Sequence, residues 1–205
     1  MPVRINRPFP VAGRRPRVGI LGGSFNPAHA GHLHISRLAL ERLGLDEVWW
    51  LVSPQNPLKS EKGMAPLADR LAGARILAKG GKLWATDIEQ DLGTHYTADT
   101  LAALKRRFPN ARFVWIMGAD NLGEISHWNN WTAIFETVPV AVFARPAYSF
   151  RALTSTAAKR FAGRRRPQSQ AATLVEQNPP AWVFLQIPMS SASATKIRDD
   201  SGGEF

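Results

Sequence analysis

Gly22-Gly23-Ser24-Phe25-Asn26-Pro27-Ala28-His29-Ala30-Gly31-His32 sets two imidazoles on a glycine-rich turn, and its flanks say what that turn connects. Upstream, Arg17, Val18, Gly19, Ile20 and Leu21 form a short apolar run that reads as a buried strand. Downstream, Ile35, Leu38, Ala39 and Leu43 recur at helical spacing from Gly31 onward. A helix beginning near Gly31 leaves its first N–H groups unpartnered and carries roughly half a positive charge at that end. An anion is favoured there. Gly22 and Gly23 let the backbone approach such a ligand, Pro27 fixes the chain direction, and His29 and His32 flank it. The expectation is a site for a nucleotide's phosphates, with His34 as an ordinary surface residue of the same helix.

Three imidazoles, His29, His32 and His34, fall within six residues, a density that zinc sites also use. The chain has no cysteine, and no acidic residue lies between Met1 and Glu41 to complete a ligand set. No protein-held metal is expected.

Outward from this segment, apolar runs alternate with helical patterns. VWWLVS from Val48, KLWATDIE from Lys82, FVWIMGA from Phe113, VAVFAR from Val140 and WVFLQI from Trp182 read as strands. PLADRLAGARILAKG from Pro66 and HYTADTLAALKRRF from His95 read as helices. Such alternation predicts an α/β fold, a doubly wound parallel sheet covered on both faces, with ligands beyond the carboxyl ends of the strands. Residues 17–200 are expected to form one domain, residues 1–16 a disordered basic tail, and GRRRPQSQAA from Gly163 a mobile loop.

Near the C-terminus, Ser193 and Thr195 are good cap residues ahead of a short helix, with Arg198 one turn later. Hydroxyls, free N–H groups and a guanidinium can converge there on phosphate oxygens, although an ordinary capped helix would use the same residues.

The two motifs together resemble the signatures of the nucleotidyltransferase superfamily, whose members transfer an adenylyl or cytidylyl group onto a phosphate. Ser193, Thr195, Ile197 and Arg198 match its second signature, with Ala194 standing where serine is more usual. The resemblance implies a Rossmann-like fold, with ATP bound by Gly22, Gly23, Ser24, Phe25, His29, His32, Ser193, Thr195, Ile197 and Arg198. His32, His29 and Arg198 then carry the catalysis, and Mg2+ arrives with ATP. Further segments are similar to one branch, the bacterial nicotinate mononucleotide adenylyltransferases: Thr94 to Thr97, Gly118 to Asp120 followed by Trp128, and Lys59 after a proline-rich loop. This resemblance implies that Trp128 stacks on the pyridine ring, backbone N–H groups around Tyr96 and Thr97 meet its carboxylate, and Asp120 binds a ribose hydroxyl. Lys59 completes the nicotinate mononucleotide site, although Leu58 replaces a usual histidine. Arg145, at the end of VAVFAR, is a candidate nucleotide contact.

Composition agrees with an enzyme domain in the cytoplasm. The 205 residues are 44% hydrophobic with seven tryptophans, enough for a sizeable core. Absence of cysteine excludes disulfides and thiol catalysis. No run approaches the ~18 apolar residues of a membrane span. The net charge of +10 is concentrated in the tail and in the acid-free stretch from Pro146 to Val175, with Arg164, Arg165 and Arg166 consecutive. Such clusters can bind nucleic acid, but no aromatics interleave the triplet. Attraction of polyanionic substrates is the simpler account.

Overall fold

The computed structural model describes residues 15–54, 63–145 and 148–186. β1 (Arg17–Gly23) leads through the imidazole turn into α1 (Ala30–Arg42), followed by β2 (Glu47–Val52), α2 (Leu67–Leu77) and β3 (Leu83–Thr86). Then come α3 (Ile88–Leu92), α4 (Thr97–Arg107), β4 (Arg112–Gly118), α5 (Ala119–Glu124), α6 (Trp131–Thr137) and β5 (Val140–Phe143). α7 (Ser149–Leu153), α8 (Thr156–Arg160), β6 (Arg165–Arg166), a 3-10 segment (Gln168–Glu176) and β7 (Trp182–Leu185) complete the described chain.

All seven strands pair in parallel, in the order β3-β2-β1-β4-β5-β7-β6. Both faces of such a sheet are buried at its centre, so the inner strands are largely apolar rather than alternating. β2 illustrates this: Trp49 and Leu51 enter one core, while Val48, Trp50 and Val52 enter the other. The first core is closed by Leu101 and Leu104 of α4, Leu122 of α5 and Ile134 and Phe135 of α6. The second is closed by Ile35 and Ala39 of α1, Leu71 and Ala74 of α2, and Leu174 and Val175 of the 3-10 segment. The order reverses between β1 and β4, which opens a crevice at the carboxyl ends of those strands.

Two expectations need correction. KLWATDIE is a strand only as far as Thr86; Ile88 begins α3, its N–H accepted by the Thr86 hydroxyl at 3.2 Å. The segment from Gly163, read as a mobile loop, is instead ordered structure. Its Ala171, Leu174 and Val175 are buried under the sheet, while Arg165 and Arg166 pair with Trp182 and Val183 of β7. Arg165 also lies over the Trp182 and Phe184 rings, 5.4 and 5.7 Å from their centroids, a cation–π arrangement. The polar letters concealed an apolar stripe at every third or fourth position.

Gly22 makes room for packing. A Cβ there would lie 2.5 Å from the Trp115 ring, whereas one at Gly23 would meet Phe25 at an ordinary 3.4 Å. Gly22→Ala is therefore expected to lose about 1–3 kcal/mol of stability through overpacking, and Gly23→Ala clearly less. Urea unfolding midpoints of the two variants provide the comparison.

Candidate active site

The imidazole turn is held by reciprocal hydrogen bonds. His29 caps α1 with extended backbone, and its Nδ1 accepts from the Gly31 N–H at 3.1 Å. The His29 N–H in turn donates to Nδ1 of His32 at 3.1 Å. This is a capping box built from two imidazoles in place of the usual hydroxyl and carboxylate. Because both Nδ1 atoms accept, the ring proton of each neutral histidine resides on Nε2, leaving two N–H donors at the positive end of α1. Burial, reinforced by the Arg145 charge, pushes His29 down to about 4. Burial first, then His29 and Arg145, pushes His32 down to about 3. Both rings are therefore neutral donors at physiological pH.

Aromatic packing fixes their orientation. His32 lies 3.9 Å from His29 and 4.6 Å from Phe25, ring centre to ring centre, and Phe25 stacks on Trp50 at 5.2 Å. Trp50 donates through Nε1 to the Ser36 hydroxyl, which donates to the His32 carbonyl, both at 2.8 Å. Phe25 itself has φ of +48°, a conformation that costs a bulky residue about 1–3 kcal/mol and persists only where its surroundings enforce it. Its buried ring, held between His32 and Trp50, supplies that enforcement.

Two residues that the motif reading passed over clamp the turn from behind. Asn26 donates to the Gly63 carbonyl at 2.9 Å and accepts from the Ala65 N–H at 3.1 Å. Arg70, only 4% exposed, donates to the carbonyls of Ser24, Ser53, Pro54 and Ala65. A guanidinium with no carboxylate partner among these bonds thus joins the turn after β1, the end of β2 and the start of α2. The signal in the sequence was its position: Leu67, Arg70, Leu71 and Ala74 make one helical stripe, with a charge where an apolar residue is expected.

The parallel topology brings the other candidates to the same edge of the sheet. Asp120 follows β4 and Arg145 follows β5, and they form an ion pair at 3.3 Å, each about one-third exposed or less. The other carboxylate oxygen of Asp120 is buried without a hydrogen-bond partner. Gly118 gives both side chains room, since a Cβ there would collide with them. Trp128, half-buried, ends the turn after α5 and packs on the first core, as does half-buried Trp131, which sits edge-on to Phe135 and Phe161. Tyr96 is exposed at the N-cap of α4 and Thr97 is its first residue, with no side chain capping the free N–H groups. Ser24 is half-buried beside Phe25, and His34 lies half-buried on α1. Lys59, Ser193, Thr195, Ile197 and Arg198 lie outside the described residues.

Among the described residues, no three His, Asp or Glu side chains gather as a metal site, and no helix is long and apolar enough to cross a membrane. What the edge offers is neutral N–H donors, a guanidinium and exposed aromatics, a donor set suited to phosphates and a planar ring.

Residues 20–200 match the family described as cytidylyltransferase-like. The chain is 54% identical over 181 residues to a Cereibacter sphaeroides protein named "Probable nicotinate-nucleotide adenylyltransferase", covering 88% of this chain and 95% of that one. A protein of the same name from Parvibaculum lavamentivorans is 54% identical over 186 residues, covering 91% and 92%. In three dimensions the fold resembles Plasmodium falciparum nicotinic acid mononucleotide adenylyltransferase complexed with NaAD, with a TM-score of 0.66 at 18% identity over 90% of this chain and 83% of that one.

The depressed histidines set a pH dependence. In the unfolded chain they take up protons as pH falls below 6.5, while the folded chain refuses them down to about 4 at His29 and about 3 at His32. Stability is thus fully present above 6.5 and lost as pH is lowered through that window, at up to about 1.4 kcal/mol per pH unit for each ring. The double variant His29→Gln, His32→Gln is expected to show a shallower decline between pH 7 and 4.5 in urea unfolding. Parallel profiles would contradict the neutral assignment.

Proposed function

Because the chain belongs to the nicotinate-nucleotide adenylyltransferases, within the cytidylyltransferase-like family, we propose that it transfers AMP from ATP to nicotinate mononucleotide, giving nicotinate adenine dinucleotide and pyrophosphate for NAD biosynthesis. The observation that carries this reading is the pair of neutral imidazoles locked with Nδ1 on the backbone, which makes Nε2–H the donor of each ring at the start of α1. They supply hydrogen-bond donors where a transferred phosphoryl group needs them, at no cost in reorganisation.

A phosphate oxygen of nicotinate mononucleotide attacks the α-phosphorus of ATP. The new oxygen–phosphorus bond forms as the bond to the bridging oxygen breaks, and the electron pair departs with pyrophosphate. No covalent enzyme intermediate is required, so positioning and charge stabilisation do the work. His32 and the N-terminus of α1 stabilise charge at the α-phosphate, and His29 assists at the neighbouring phosphate oxygens. Gly22, Gly23, Ser24 and Phe25 shape the turn on which ATP rests. Thr195 and Arg198, with Ser193 and Ile197, hold the β- and γ-phosphates. Magnesium would arrive with the ATP substrate, whose phosphate oxygens are the ligands it favours, and would supply charge neutralisation there.

On the acceptor side, Trp128 offers its indole face to the pyridine ring. The uncapped N–H groups at Tyr96 and Thr97 receive its carboxylate, and Lys59 adds a cation. Asp120 takes a ribose hydroxyl, and Arg145, paired with its carboxylate, contacts a nucleotide phosphate. The reaction is assigned to the cytoplasm.

Pyrophosphate release from ATP and magnesium is the assay, with nicotinate mononucleotide, its amide and phosphopantetheine as separate acceptors. Rapid release is expected with the nicotinate form. Preference for another acceptor would retain the transferase and reject the pyridine site; no release with any would reject both. His32→Ala is expected to lose about 100- to 1,000-fold in turnover, the usual cost of removing a charge-stabilising donor, with folding confirmed by circular dichroism.

A further inference from the structure

Glu89 is a carboxylate in a place where a carboxylate is costly. It occupies the first turn of α3, directly after β3, and is 7% exposed. Burial raises its pKa, against the opposing effects of a hydrogen bond from Thr100 and the charge of His95. An apolar side chain would avoid that desolvation. Its bonding explains what the carboxylate does there.

Thr100, fully buried on α4, has its hydroxyl 3.0 Å from Oε1 of Glu89, 2.9 Å from the Thr94 hydroxyl and 3.1 Å from the Tyr96 carbonyl. A hydroxyl has one proton. The Tyr96 carbonyl already accepts the Thr100 backbone N–H at 3.0 Å. The Glu89 carboxylate is the strongest acceptor of the three, so the Thr100 proton goes to it, and the Thr94 hydroxyl is then placed to donate to Thr100. Separately, the Thr94 N–H donates to the Glu89 carbonyl at 3.0 Å. Thr94 is thus tied to Glu89 by its backbone and, through Thr100, by its side chain. The tether brackets His95, Tyr96 and Thr97, the turn that leaves the N–H groups of α4 uncapped.

We propose that Glu89, acting through Thr100, is a positioning residue that sets the Thr94–Thr97 turn to receive the carboxylate of the acceptor's pyridine ring. This rests on the nicotinate mononucleotide reading above. The device belongs to one substrate only: the ATP turn is held independently, by Asn26 and Arg70.

Steady-state kinetics of Glu89→Gln, Glu89→Leu and Thr100→Val separate this role from a general structural one. Glu89→Leu and Thr100→Val remove the tether, and each is expected to raise KM for nicotinate mononucleotide roughly tenfold, the usual scale for a lost buried hydrogen bond. KM for ATP stays within about twofold, as expected for a site outside the perturbed network. Glu89→Gln retains an acceptor oxygen for Thr100 and restores most of the acceptor affinity. Equal increases in both KM values, or an unchanged acceptor KM in the folded variants, would overturn the proposal. Should Glu89→Leu not fold, Thr100→Val decides the matter alone, since it preserves shape while deleting the hydroxyl. A wild-type enzyme that ignores nicotinate mononucleotide would reject the underlying reading and this role together; a wild-type enzyme that uses it, with variants that do likewise, would reject this role alone.

Discussion

Two backbone N–H groups donating to two imidazole nitrogens, at the point where β1 gives way to α1, are the constraint around which the rest is arranged. A helix start normally satisfies its orphan N–H groups with a hydroxyl or a carboxylate. A carboxylate there would repel phosphate. Neutral imidazoles satisfy the backbone with one nitrogen and present a donor with the other, so the structural need and the chemical one are met by the same ring. The cost falls elsewhere: Phe25 adopts a left-handed backbone, Trp50 and Ser36 brace it, and Arg70 is buried to hold three segments together.

The strands were legible because a parallel sheet buried on both faces writes itself as continuous apolar runs, and VWWLVS, FVWIMGA, VAVFAR and WVFLQI all appear where expected. The imidazole turn was legible because its glycines, proline and histidines are tied to local geometry. Glu89 and Arg70 were not. Each acts through partners distant in the chain, Thr100 in one case and Ser24, Ser53 and Pro54 in the other, and no local pattern encodes such pairings. Glu89 was further hidden by assigning its segment to a strand. The 3-10 segment at Gln168–Glu176 was missed because its glutamines, and the arginine triplet just before it, outweighed three buried apolar residues.

Charge is distributed with the same economy. Burial depresses both histidines most, and the Arg145 guanidinium adds to it while pairing with Asp120, so one cation helps keep the donors neutral and steadies a carboxylate at the neighbouring strand end. Arg17 and Arg112, at the opposite ends of β1 and β4, share Glu176 and fasten the 3-10 segment to the base of the sheet. These pairs are partly exposed and contribute little energy individually; their effect is on where segments lie.

The shortness of β6 has a separate consequence. A parallel sheet is open at both margins, and an open margin offers unpaired N–H and C=O groups to any other extended chain. Among the described residues one margin ends in two arginines, both exposed, one resting its guanidinium on the rings of the adjacent strand. A copy presenting the same margin would meet like charges, and any other sheet would find little backbone to pair with. So short and charged a strand leaves that margin a poor template for another sheet.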